Sequence, residues 1–143
     1  MSSYQQLLVA VDLSEDSRAI AAKSAELARL WGARLCLLHV IEFVPVEPMS
    51  DALVPVVQID EQVIARAREQ IKALAGTLGL PAESCRVATG NVKGEILRQA
   101  RELGADLIVL GARERHGLSI LVNLTEDTVL HGAPCDVLAM RVH

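Results

Sequence analysis

Apolar residues in this chain alternate between short continuous runs and longer stretches repeating at helical spacing. Leu7 to Val11 is an apolar run of strand length. After it, Ile20, Ser24, Leu27 and Trp31 share one face of a predicted helix, capped at Ser14 or Asp16, reaching about Leu30 and ended by Gly32. Arg34 to Val40 is a second strand, apolar enough for the middle of a sheet. Glu42 to Val57 holds Pro45, Pro48 and Pro55 and reads as a long loop. Ile64, Ala67, Ile71, Leu74 and Leu78 mark a second helix, begun at Asp60 and stopped at Gly79. The pattern then predicts a third strand at Cys85 to Ala88, a turn at Gly90 to Lys93 and a third helix from Glu95 to Leu103. A fourth strand at Asp106 to Leu110, a last helix from about Ser119 to Leu130 and a fifth strand at Cys135 to Val142 complete it.

Strands alternating with helices imply an α/β protein: one domain over residues 1–143, with helices on both faces of an open parallel five-stranded sheet, Rossmann-like. Right-handed crossovers between neighbours give the order 3-2-1-4-5. Winding reverses between strands 1 and 4, so a crevice is expected at their C-terminal ends, lined by Asp12 and Gly111.

Composition narrows the function. Hydrophobic residues make up 51% of the chain but aromatic ones only 2%, so the core is aliphatic and base-stacking on single-stranded nucleic acid is excluded. A net charge of −4 offers no basic face for DNA or RNA. No signal peptide precedes the first strand, and the longest apolar stretch, Leu35 to Val46, is broken by His39 and Glu42, so no membrane span is expected. The odd cysteine set, Cys36, Cys85 and Cys135, sits in apolar runs as buried free thiols do, which suits the cytoplasm.

The strand 4 exit carries the most chemistry: Gly111-Ala112-Arg113-Glu114-Arg115-His116-Gly117, then Asn123-Leu124-Thr125. Together with Leu8 to Ser14, His39-Val40, Gly90, Gly94-Glu95-Ile96, Ala105 to Gly111 and Ala133 to Leu138, it resembles the universal stress protein family over the whole chain. The resemblance implies a crevice in which Asp12 and Val40 meet an adenine or ribose and Gly111, Gly117 and Thr125 meet phosphate. In the family's ATP-binding branch, glycine is expected at three positions, which fall here on Gly111, Glu114 and Leu124. Two of the three are missing, which places the chain nearer the universal stress protein A-like branch, not expected to bind ATP. Glycine admits backbone N–H groups close to phosphate. A Glu114 carboxylate ~4 Å from a phosphate oxygen costs about 4 kcal/mol at an effective dielectric of ~20, roughly a factor of 1,000 in affinity. Arg113, Arg115 and His116 leave room for a smaller anion.

Asp12 serves equally as a ligand group or as a turn and cap residue. Thr125 reads as a helical threonine bonding its own backbone, and Gly90 to Gly94 as a turn and cap rather than an anion nest. Asp12 to Ser17 lacks both glycines of the Ser-Gly-Gly-x-Asp-Ser signature of AMP-forming ligases. The histidines and cysteines have no zinc spacing, and no Gly-x-Ser-x-Gly elbow exists. No catalytic residue, metal or cofactor is therefore expected, with ATP or AMP bound weakly at most. The alternative is an ATP- or AMP-binding switch or slow ATPase in the same crevice. Val137 to Val142 is expected as an apolar edge strand that pairs with its own copy in a homodimer, a state the family resemblance also implies.

Overall fold

The computed structural model describes residues 4–42, 60–113, 129 and 131–142, and of residues 112, 113 and 142 it describes only the backbone. The elements are β1 (Gln6–Ala10), α1 (Glu15–Trp31), β2 (Arg34–Glu42), α2 (Glu61–Thr77), β3 (Cys85–Gly90), α3 (Val92–Leu103), β4 (Leu107–Arg113) and β5 (Asp136–Val142), with a short 3-10 turn at Ala82–Ser84 before β3. All neighbouring strands pair in parallel, in the order β3-β2-β1-β4-β5 that the pattern predicts. Val129, His131 and Gly132 are helical, and the rest of the last predicted helix lies outside the described residues. So does most of the proline-rich segment predicted as a loop.

Local chemistry sets the element ends. The Ser14 side chain accepts the N–H of Ser17 and caps α1, Asp60 accepts that of Gln62 at α2, and Asn91 accepts that of Gly94 at α3. Because Asn91 is the cap, α3 starts at Val92, three residues before the predicted Glu95, and the Gly94 N–H is spent on Asn91. Gly32 and Gly104 end α1 and α3 in left-handed conformations, φ 64° and 65°, each sending its N–H back to the last turn.

The sheet is buried on both sides. Odd-numbered positions of β1, β2 and β4 (Leu7, Val9, Leu35, Leu37, Leu107, Val109) pack with Ile20, Ala21 and Ala25 of α1 and with Ile71 and Leu74 of α2. Even-numbered positions (Leu8, Cys36, Leu38, Ile108, Leu110) pack with Ile96 and Ala100 of α3 and with Val129. This two-sided burial is why β1 and β2 read as continuous apolar runs. At the opposite end, the Asp106 carboxylate grips the start of β1 through the N–H groups of Gln5 (2.8 Å) and Gln6 (2.9 Å). Asp106 is thus a turn residue that clamps β1 beside β4, and the strand starts one residue later than predicted.

Candidate functional site

The winding reversal puts the C-terminal ends of β1 and β4 side by side, with β2 leaving on one flank and β5 on the other. β1 stops pairing with β2 at Ala10↔Leu38, although the Val11 N–H still reaches the Leu38 carbonyl at 2.8 Å. β2 runs past it to Glu42, pairing Ile41 with Thr89 and Glu42 with Gly90 of β3. Val40 is therefore inside β2 rather than at its end, as the pattern had it. In a parallel strand, alternate residues turn their backbone groups to the same neighbour. Val40 shares the side of Leu38, so its N–H and C=O point to where β1 has just ended. Its side chain packs on the α3 side of the sheet.

Immediately beyond β1 the chain makes a tight turn. Asp12 Oδ1 accepts the Ser14 N–H (2.9 Å), the Ser14 hydroxyl and the Ser17 hydroxyl (2.6 Å). The Ser17 oxygen in return accepts the Asp12 N–H at 2.8 Å. The bond from Asp12 to the N–H two residues on is an Asx-turn. Asp12 itself is exposed while Ser17 is buried. These bonds describe the turn-and-cap reading of Asp12, which lies just beyond the C-terminal end of β1.

The turn carries a strained residue. Leu13 has φ of 66°, a left-handed conformation that costs a non-glycine residue about 1–2 kcal/mol. Its half-buried side chain packs against the core on the α1 side, and the Asp12–Ser17 bonds hold the backbone there. This feature was invisible in the sequence, because leucine gives no signal for positive φ.

His39, noted in the sequence only as a core or crevice histidine, also contributes. Its Nδ1 lies 2.8 Å from the Val11 carbonyl, which can only accept, so Nδ1–H is the donor. The partly buried ring therefore fastens Val11, the residue just after β1, to β2, and in the neutral form Nε2 is left as an acceptor.

On the other wall, β4 continues through Gly111 and Ala112 to Arg113, pairing them with Met140, Arg141 and Val142 of β5. Gly111 is thus an extended residue inside the strand, not the turn that follows it as the sequence suggested. Gly117, Thr125, Glu114 and Leu124 lie outside the described residues. Of the predicted site residues, Asp12, Val40 and Gly111 are brought to the same end of three adjacent strands.

The cysteines carry no poised nucleophile. Burial pushes the Cys36 thiol up to about 11, with Arg86 opposing weakly, and burial also raises the thiols of Cys85 and Cys135. All three are neutral near pH 7. Among the described residues, no group of three or more His, Cys, Asp or Glu side chains is arranged to hold a metal ion.

A doubly wound parallel sheet with an Asp-bearing turn at its switch point defines a Rossmann-like α/β domain. The universal stress protein family model matches residues 3–141, and the chain belongs to that family. It is 34% identical over 143 residues to universal stress protein A homolog 2 of Coxiella burnetii, covering 99% of this chain and 98% of that one. The fold is shared with universal stress protein UspA from Lactobacillus plantarum, with a TM-score of 0.73, 23% identity and coverage of 99% and 100% of the two chains. It is shared as well with a universal stress protein solved in complex with cAMP, with a TM-score of 0.65, 20% identity and coverage of 97% and 98%.

Proposed function

We propose that this protein is a cytoplasmic stress-response binding domain of the universal stress protein A-like kind, homodimeric through β5, without catalysis of its own and without tight ATP binding. The observation that carries the reading is the pair Glu114 and Leu124 at positions where a triphosphate cradle calls for glycine. A carboxylate at such a position repels phosphate, and any side chain in place of glycine bars the close approach that backbone N–H groups need. The commitment of Asp12 Oδ1 to Ser14 and Ser17 supports the same view, since three donors already converge on one oxygen.

A second reading is favoured by the solved relative in complex with cAMP. A monophosphate makes little use of a triphosphate cradle. Asp12 and Val40 would meet base and ribose, and Gly111, Gly117 and Thr125 the phosphate, in an AMP- or ATP-responsive switch or slow ATPase.

Calorimetry with ATP, AMP and cAMP separates the two. The leading reading expects no saturable heat with micromolar ATP, and a gain of affinity in Glu114→Gly/Leu124→Gly. A micromolar dissociation constant for ATP in the wild type would overturn it. Micromolar AMP or cAMP binding, abolished in Asp12→Ala, would establish the second reading.

A further inference from the structure

At the end of the sheet opposite the crevice, a cleft of about 540 Å³ opens between the last turn of α1, the first residues of β2 and the segment joining α2 to β3. That volume is in the range of small-molecule pockets. Its walls are mostly aliphatic, from Ala25, Ala28, Leu35, Leu78, Leu80 and Leu103. Three guanidinium groups line it: Arg29, Arg34 and Arg86, against one carboxylate, Glu83. Glu102, just outside the lining, lies within ion-pair distance of Arg86, so Arg29 and Arg34 face Glu83 alone, a local excess of one positive charge in a chain with net charge −4. Gln6, buried apart from 8% of its surface, also lines it and donates its side-chain N–H to the Leu7 carbonyl.

The three arginines are held differently. Arg29 reaches across to the Leu78 carbonyl at 2.8 Å, tying α1 to the far wall. Arg86 donates to Gln99 at 2.8 Å and lies 3.8 Å from Glu102, so α3 fixes its direction. The Arg34 side chain is exposed and has no hydrogen-bond or ion-pair partner among the described residues. A structural role accounts for Arg29 and Arg86 but not for Arg34. Arginine recognises carboxylates and phosphates through its planar fork of donors, and aliphatic walls accept a hydrocarbon body.

We propose that this cleft binds a small amphipathic anion, an aliphatic body carrying one carboxylate or phosphate head, with Arg34 as the head-group contact and Arg29 supplying further positive charge. The site is separate from the crevice and does not depend on what the crevice binds.

Binding is read by calorimetry, which needs no reporter group in the cleft. Titrations use octanoate and octyl phosphate, with octanol and inorganic phosphate as controls, on the wild type, Arg34→Gln and Arg29→Gln. The proposal expects a saturable response to at least one amphipathic anion in the millimolar range or below. It expects octanol and inorganic phosphate each to bind at least about tenfold more weakly, and Arg34→Gln to weaken the anion by at least about tenfold. Because Arg34 is exposed, the thermal transition of Arg34→Gln should match that of the wild type, and Arg29→Gln should weaken the same anion as an independent check. The preferred head group identifies the source: tighter octanoate indicates a free carboxylate ligand, tighter octyl phosphate a phosphate ester. No saturable response to either anion, equal binding of octanol, undiminished binding by Arg34→Gln, or displacement of the anion by ATP would each overturn the proposal.

Discussion

Asp12, Leu13 and Ser17 show how single residues decide the shape of the crevice mouth. Ser17 is buried and completes a ring of bonds with Asp12, and that ring holds Leu13 where leucine does not go by preference. A second residue ties distant parts of the fold. Tyr4, the only tyrosine, packs its ring 5.1 Å from that of Trp31 and donates its hydroxyl to Asp136 of β5 at 2.8 Å. The hydrogen bond to the Asp136 carboxylate comes first among the causes that raise the Tyr4 hydroxyl above its ordinary range, followed by desolvation and repulsion from Asp136. A raised folded-state value means that the bond stabilises the protein below the ordinary tyrosine range of about 10 and is lost as pH rises through the folded-state value. Tyrosinate absorbance should therefore appear at higher pH than for a free tyrosine, and Asp136→Asn should move it down. An unshifted titration in the wild type would show that the contact does not persist in solution.

Among the strands, β5 carries the proposed homodimer contact. Among the described residues it occupies a sheet edge, paired to β4 alone. Leu138 and Met140 share one face and pack against the core on the α1 side, so neither side chain is the natural place to disrupt a partner without damaging the fold. Ala139 is exposed and stands at the middle of the strand Asp136–Val142. Antiparallel self-pairing of the whole strand sets the middle residue opposite its own copy across a two-fold axis. Ala139→Asp would then place two carboxylates face to face, which destabilises a cross-strand pair. Light scattering should report a dimer for the wild type and a monomer for Ala139→Asp. A monomeric wild type, or a variant that stays dimeric, would remove β5 as the interface.

The molecule as a whole is a sheet with two separate cores, one facing α1 and α2, the other facing α3. Ile71 and Ile96 are nearly inaccessible, 1% exposed each, and lie on opposite sides of the sheet. A helix layer stacks about 10 Å from a sheet, so these two side chains share no partners. Ile71→Val and Ile96→Val should each cost about 0.5–1.5 kcal/mol, and the double variant should lose their sum to within about 0.5 kcal/mol in denaturant unfolding. A clearly larger loss would mean that the sheet couples the two layers. The same architecture puts the crevice and the arginine-lined cleft at opposite ends of the strands, so ligands at the two need not compete.

The order of the strands and their parallel pairing were legible in the chain, because apolar periodicity and right-handed crossovers leave few alternatives; the buried face of α1 was only partly so, since Ala21, Ala25 and Ala28 fill it where Leu27 and Trp31 were expected. Capping residues such as Ser14, Asp60 and Gly32 were legible for the same reason: their chemistry is local. Strand lengths were less so. β2 runs to Glu42 and β4 to Arg113 because β3 and β5 supply ladder partners that local sequence does not announce. That Glu114 and Leu124 fall where the family resemblance expects phosphate glycines is a reading of sequence alone. Only the tertiary structure decided that Ser17 of α1 closes a ring of bonds with Asp12, that Leu13 is strained, that His39 grips the Val11 carbonyl, and that Arg29, Arg34 and Arg86 line one cleft. Each of these joins residues from different elements or depends on a backbone angle. Neither is written in local spacing; both arise when the strands pack.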